Sequence, residues 1–546
     1  MKSCMNKQIR KLSVMMLLLC MSVVAAYSQV TTSGMSGRVI SDGGEALPGA
    51  AVVAVHTPSG TQYGTITNSE GRFTLQGMRP GGPYTVDISF VGYSTGKYSE
   101  ITLLLGESFI LNATLRESTV DVGEVLVVGA APSAFGTDKT GAATNISNEV
   151  LNTMPSISRS ISDFTRLSPY SGGGNAFAGR DGRLNNINID GANFNNNFGL
   201  SSNNMPGGDA QPISLDAIEE VQVNIAPFDV RQANFTGAGI NAVTKSGNNT
   251  FSGSAYSYYR NQDFNGRYVG SERLKEAAQT STTIIGGRLG GPIIKNKLFF
   301  FVNGEYENSP YPGMEYLAAR SGVTGSNVTR VPSSDLEEFS SLLKSKYGYE
   351  TGPYENYGSF ASQNHKILAR VDWNINEQHK LTVRYNTVSS TNDQIVNGTS
   401  APNPRASSNR VSKDAMSFQN TNYGFLNTVN SLVGELNSNF GGKFSNQFLA
   451  TYTKIQDTRT SPSTLFPFID IWDGNGNSYM SAGYELFTYN NDVVNNVMTV
   501  TDNFTYYLGK HTLTAGASFE KLYFGNSYMR YGTSFYRFKD FAAFKD

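Results

Sequence analysis

The chain has 546 residues, too many for one hydrophobic core, and its formal net charge of −1 gives no reason to expect nucleic acid or an anionic surface as a partner. Charged residues make up only 16% and aromatic residues 12%, with 56 glycines, a mix that favours strands and turns over helices. The only cysteines, Cys4 and Cys20, precede residue 29, so a chain processed there is cysteine-free, which excludes disulfides, thiolate catalysis and cysteine-based zinc sites together.

Residues 1–28 read as a secretory signal. Lys2, Lys7, Arg10 and Lys11 precede an apolar run from Leu12 to Ala26, and Ala26-Tyr27-Ser28 offers a cleavage site before Gln29. A lipoprotein signal would place a small residue before Cys20, where Leu19 stands. The apolar run is too short to span a bilayer comfortably, and no later window supplies the roughly 20 apolar residues of a transmembrane helix. An exported chain of this kind can enter a membrane only as a closed β-barrel, because lipid offers no partner for free backbone groups.

Residues 29–117 form a unit of short strands separated by turn chemistry. Gly37-Arg38-Val39-Ile40 turns through Ser41-Asp42-Gly43-Gly44, Pro48-Gly49-Ala50 leads into Ala51–Val55, and Asn68-Ser69-Glu70-Gly71 leads into Arg72–Leu75. Tyr84, Val86, Ile88 and Phe90 alternate on one face. About seven strands in some 80 residues predict a β-sandwich. The linker 118–139 carries one apolar strand, Val122-Gly123-Glu124-Val125-Leu126-Val127-Val128-Gly129. Two readings are open: it adds a strand to the sheet edge of another chain, or it is the last strand of the sandwich.

From 140 to 249 the composition turns to Gly, Asn and Ser. A short amphipathic helix is predicted at Ser158–Leu167, with Ile161, Phe164 and Leu167 on one side, and strands at Asn185–Asp190, Ile218–Ile225 and Ala238–Lys245. Nine of the twenty residues from Asn185 to Asn204 are Asn, but Gly191, Gly199, Pro206 and Gly207 punctuate the stretch as ordered turns do, against a prion-like reading.

From 250 to 546 amphipathic strands rich in Tyr and Phe alternate with polar segments. The clearest are Phe251–Asn261, Thr282–Pro292, Leu298–Tyr306, Lys366–Ile375, Lys380–Tyr385, Leu432–Phe440, Lys443–Lys454, Met498–Leu508 and His511–Phe524. Short connections such as Asn376-Glu377-Gln378-His379 and Gly509-Lys510 alternate with long ones such as 309–364, the rhythm of a membrane barrel. The predicted fold is mainly β: an N-terminal β-sandwich, a small α+β domain, and part of a large antiparallel transmembrane β-barrel. Nine to twelve strands make too narrow a barrel to hold 140–249, and the chain ends on Phe544-Lys545-Asp546, so a truncated barrel is expected.

Two resemblances sharpen this outline. Residues 48–50, 68–73 and 80–93 carry a resemblance to the carboxypeptidase-regulatory-like domain, a sandwich with no catalytic centre of its own. Ile213–Val223 followed by Ala226-Pro227-Phe228-Asp229-Val230-Arg231 is similar to the end of a TonB-dependent receptor plug, and Gly237–Ser254 resembles the plug-to-barrel junction of the Oar-like subgroup. That resemblance implies an outer-membrane protein whose N-terminal domain lies in the periplasm, and a TonB complex of the inner membrane that grips a short box ahead of the plug. Carried over, the box is Glu124, Val125, Leu126, Val127 and Val128, with Leu126 interrupting the usual valines. In Gly179–Gly191 the resemblance singles out Arg180, Asn186, Asp190 and Gly191 as ligand-side plug residues, with a plug hairpin and its Gly turn as the alternative reading.

No enzyme reading survives inspection. His56, His365, His379 and His511 are scattered without an HExxH arrangement, so no metal ligand set is expected. Gly34-Met35-Ser36-Gly37 misses the nucleophile elbow by one position. Gly237, Gly239 and Ala242 satisfy a dinucleotide fingerprint without the helix it needs. Asp473-Gly474-Asn475-Gly476-Asn477 mimics a calcium loop, but Ser478 stands where the turn Gly belongs, so a surface turn is expected. No cofactor is implied. The partners implied are the TonB complex, outer-membrane lipid and an unidentified ligand (peptide, glycan or chelate); a surface lipoprotein is left open. An adhesion or assembly protein of the outer membrane is the alternative function, and a soluble secreted binder a third.

Overall fold

The computed structural model describes residues 30–117, 125–128 (backbone only), 141–156, 159–173, 175–196, 206–208, 210–274 and 279–546. The predicted secretory signal lies outside the described residues, as do most of the 118–139 linker and the tip of the Asn-rich stretch.

Alternation of apolar and polar residues builds the N-terminal sandwich. Its strands are β1 (Ser33–Ser41), β2 (Ala51–His56), β3 (Thr61–Ile66), β4 (Arg72–Met78), β5 (Gly81–Ser89), β6 (Gly96–Leu103), β7 (Ser108–Ile110) and β8 (Ala113–Leu115). One sheet runs β3-β2-β5-β6, and β1 pairs with β4, β7 and β8 in the other. Val52, Ala54, Leu75, Tyr84, Val86, Ile88 and Ile101 fill the space between the sheets. The Asn68 side chain accepts from the Glu70 and Arg72 amides, and a side chain at Gly71, whose φ is +73°, would run into the Val39 carbonyl. Beyond the sandwich, β9 (Val125–Val128) lies parallel on the free edge of β6, Gly96 opposite Val125 and Ser99 opposite Val128.

The next unit is one mixed sheet with short helices. Its strands β10 (Ala142–Ser147), β11 (Asn186–Ile189), β12 (Ala192–Asn193), β13 (Ile218–Ile225) and β14 (Gly239–Thr244) lie in the order β10-β13-β14-β11-β12, with β11 parallel to β14. The predicted helix is half the expected length, Ile161–Thr165: the Ser160–Asp163 capping box starts it three residues late, and it ends two residues early. The described part of the Asn-rich region, 185–196, is tied together by its own amides. Asn195 accepts from the Ile187 amide and donates to Asn186 and Asn193, and Asn188 donates to Asn241, so these buried side chains are paired.

All nine strands singled out from sequence after residue 250 are present, most of them longer than read. β15 (Ser252–Asn261) leads through a hairpin, β16 (Tyr268–Val269) and β17 (Glu272–Arg273), to β18 (Ser281–Ile294), which returns as β19 (Leu298–Asn308). A long connection holds β20 (Tyr311–Pro312), β21 (Leu317–Ala319), β22 (Val328–Pro332), a helix Ser333–Tyr347 and β23 (Ser359–Phe360). Then β24 (Ser362–Asn374) turns tightly into β25 (His379–Gln394), and β26 (Met416–Ser417) precedes the pair β27 (Tyr423–Phe440) and β28 (Phe444–Thr460). After β29 (Phe468–Trp472) and β30 (Ser478–Ala482) come β31 (Asn491–Leu508) and β32 (His511–Tyr528), followed by β33 (Phe535–Phe538).

The long strands form one antiparallel sheet in the order β15-β18-β19-β24-β25-β27-β28-β31-β32. It curves around the mixed sheet: Phe301, Leu368, Val388, Val433 and Leu449, from five different strands, share a core with Ile187, Val221, Val223 and Ile240. The opposite face carries exposed Ile367, Val371, Val383, Leu432, Tyr452 and Met498, as lipid requires. Phe440 and Phe444 stack at 4.7 Å and Phe444 meets Phe504 at 5.4 Å, an aromatic rim beside a tight turn. The long connections are folded rather than loose. Val331, Leu336, Phe339, Met416, Ile471 and Phe541 make a separate core, and the sheet β26-β30-β29-β33 backs it.

Candidate functional site

The chemistry of the chain gathers where the three units meet. Asp190 ends β11 at a φ of +45° and is buried; Gly191 follows at φ +78°, and the two make the turn into β12. The Asp190 carboxylate accepts from the Thr244 amide at 2.8 Å and hydroxyl at 2.7 Å within its own sheet. It also reaches the wall: Arg384 Nε stands 3.1 Å away and Arg370 Nη1 3.6 Å. Arg370 is forked onto Asp372 at 2.9 Å and donates to the Thr244 carbonyl at 2.8 Å. A second junction centres on Glu305, which takes Lys366 at 2.7 Å, Ser214 at 2.9 Å, Tyr256 at 2.6 Å and Arg159 at 3.7 Å. A third joins Asp216 to Arg288 at 3.4 Å and Lys245 at 3.9 Å. Burial and the Arg288 charge pull Lys245 down to about 8 against the pull of Asp216 and Glu219.

The inner sheet is thus held to the wall by ion pairs and hydrogen bonds, which can be exchanged for water, as well as by apolar contact. A cavity of about 420 Å³ remains between Met154, Arg159, Tyr256, Tyr258, Arg260 and Ile284. Arg159 lies over the Tyr258 ring at 4.4 Å on its rim.

The sandwich closes the tight-turn side. Gly60 lies against Asn296 with no room for a side chain, Asn374 donates to Thr61 at 3.0 Å, and Lys380 sits 4.4 Å over Tyr63. Thr65 packs at Gly442, Asn68 donates to the Gly509 carbonyl at 3.1 Å, and Glu70 faces Lys510 at 3.9 Å. All four tight turns of the curved sheet are touched. Arg79 reaches furthest in, 3.6 Å from Asp372 and 3.0 Å from Ser246. Beside it, burial and the Arg79 charge push the His56 imidazole down to about 3, so it stays neutral at physiological pH.

Of the site residues predicted from sequence, Asn186, Asp190 and Gly191 come together on β11 and its turn. Asn186 is buried, donating to the Ala233 carbonyl and accepting from Asn195. Arg180 stands apart, exposed at the end of a bridge to Phe177. Glu124 lies outside the described residues, and Val125–Val128 pair with β6. Sequence reasoning missed the wall partners Arg370, Asp372, Arg384, Glu305 and Lys366. Their signal was period two: Lys366, Leu368, Arg370 and Asp372 alternate with Ile367, Ala369, Val371 and Trp373, which places the charges on the inward face. The Asp473 loop is a turn in which that carboxylate accepts the Asn475 and Asn477 amides and pairs with Arg330 at 2.8 Å.

Residues 243–543 match the outer membrane beta barrel domain family, and residues 34–116 match the carboxypeptidase regulatory-like domain. The TonB-dependent transporter Oar of Myxococcus xanthus is 26% identical over 297 residues, which is 51% of this chain and 27% of that protein. Among solved structures, the siderophore receptor PirA of Acinetobacter baumannii is similar at a TM-score of 0.44 and 17% identity, covering 70% of this chain and 48% of that one. The outer membrane transporter YddB of Escherichia coli is similar at a TM-score of 0.47 and 12% identity, with 70% and 48% covered. The chain therefore spans about a quarter of its curated relative and about half of these solved ones. With the family matched over more than half its length, the chain belongs to the outer membrane beta barrel family, as an Oar-like TonB-dependent receptor that carries a carboxypeptidase regulatory-like domain.

Proposed function

We propose that the receptor is an active transporter: residues 140–249 are a plug that blocks the barrel until the TonB complex pulls on Glu124–Val128. The observation that carries this reading is the polar seam between plug and wall. The Asp190–Arg384, Asp216–Arg288 and Glu305–Arg159 pairs hold the plug in one position, yet each group could be rehydrated when the plug shifts. In this reading the sandwich faces the periplasm, the folded long connections face outward, and the ligand is a peptide, glycan or chelate, with a surface lipoprotein as a further partner.

The second reading, an adhesion or assembly protein, draws on the apolar core of the long connections, which makes them a rigid surface rather than mobile loops. Deleting residues 123–129 separates the two. Loss of uptake with retained membrane insertion supports transport, and unchanged function supports adhesion.

A further inference from the structure

The sandwich meets the plug and the barrel in physically different ways. Toward the plug it inserts a peg, the turn between β6 and β7. Leu105 at its tip is fully buried and packs with Val30 and Val243. Its amide donates to both carboxylate oxygens of Glu220 at 3.0 Å, and its carbonyl accepts from Gln222 and Asn145. Asn145 comes from β10 and the other receptors from β13 by strand alternation: Glu220, Gln222 and Asn224 face one way, while Val221 and Val223 face the plug core. Withdrawing the peg would strip the Glu220 carboxyl of its amide donor and both backbone groups of Leu105 of their partners, while Gln222 would keep only Asn224 at 2.7 Å; each loss is costly.

Toward the barrel the contacts are side-chain tips at the tight turns, and the barrel groups have other partners. Without Arg79, Asp372 keeps Arg370 at 2.9 Å and Thr382 at 2.8 Å. Without Thr31, Glu435 keeps Asn437 at 3.0 Å and Gln447 at 2.8 Å. The Glu70–Lys510 pair is exposed and contributes little. The charged groups of the seat keep partners of their own, whereas the Glu220 carboxyl is paired by the peg.

We propose that sandwich and plug are one moving body and the barrel turns are its fixed seat, so that opening lifts the sandwich off the turns while the peg stays clamped in β13. This deepens the transport reading and rests on it, because something must pull. The sandwich then carries the plug out of the mouth as a braced unit and returns it to register.

The test uses single-cysteine variants of the receptor in cells, placed in residues 29–546, which contain no native cysteine, on a background in which any cysteine elsewhere in the receptor is replaced by serine. Asn437→Cys reports on the seat, because a Cβ at Gly77 would lie 3.4 Å from the Asn437 Cβ. Leu105→Cys reports on the peg, with Gln222→Cys as a second peg probe should the first fail to insert. The probe is a hydrophilic maleimide admitted to the periplasm, with and without a protonophore. The expected result is labelling at 437 that is lost with protonophore, and none at 105 or 222. Labelling of the peg probes in energised cells, or of none of the three, overturns the proposal. Labelling at 437 that persists with protonophore means the seat is accessible without any lifting of the sandwich, and it too overturns the proposal.

Discussion

Replacing Asp190 by Ala tests the seam most directly. Arg384 is fully buried, and Asp190 is its carboxylate partner among the described residues; what remains is the Ile189 carbonyl at 3.1 Å and the Ser431 hydroxyl at 3.3 Å. Arg370 is spared, because Asp372 still holds it at 2.9 Å. The penalty therefore falls on one stranded guanidinium, and breaking a buried pair in this way costs about 3–5 kcal/mol. At about 1.4 kcal/mol per decade, the population of plug-open states should rise by roughly two to three and a half orders of magnitude. Hydrogen exchange of the amides in 218–225 measures it, since that strand does not hydrogen-bond to Asp190 and opens only with the plug sheet. Combining Asp190→Ala with Arg384→Met removes the stranded charge and should restore most of the protection. Unchanged exchange in Asp190→Ala would refute the idea that this pair retains the plug.

Other outcomes follow from the same geometry. Burial pushes the Glu220 carboxyl up to about 8, with Glu219 and Glu107 adding to the rise and the Leu105 amide opposing it. A raised value means the docked state takes up a proton, so this contribution is fully present below pH 4.5, falls about tenfold in docking equilibrium per pH unit above that, and is lost by about pH 8. Spin-label distances between Glu107→Cys and Asn145→Cys should broaden with rising pH, and Glu220→Gln should abolish that response. Leu432 faces lipid, so Leu432→Arg should cost about 2–4 kcal/mol if it sits near mid-bilayer and reduce the folded, heat-modifiable fraction on gels. Phe339 packs edge-on against Phe418 and Phe544; Phe339→Ala should cost about 3–5 kcal/mol locally and open 309–361 to protease while the barrel strands stay resistant.

Local pattern was enough for what depends on local pattern. Strand alternation exposed the sandwich and the long strands after 250, because period-two burial is written in adjacent residues, while the inner strands Ile218–Ile225 and Gly239–Thr244, buried almost throughout, were legible as short runs of strand-forming residues between turns. Short and long connections could likewise be told apart by length. Motif resemblance then identified the plug junction, where spacing alone was mute. What stayed hidden was everything set by the meeting of distant segments. Arg384 is ordinary in sequence between Val383 and Tyr385, and becomes half of an ion pair only when β25 curves around a turn 194 residues earlier, at Asp190. The core inside the long connections joins helix Ser333–Tyr347 to Met416, Ile471 and Phe541, none of which shares a periodic stretch with another. The placement of Val125–Val128 on β6 was one of two open readings, since a short apolar strand carries no record of which edge it will choose. Periodicity reports which face of an element is buried; only the assembled chain decides against what.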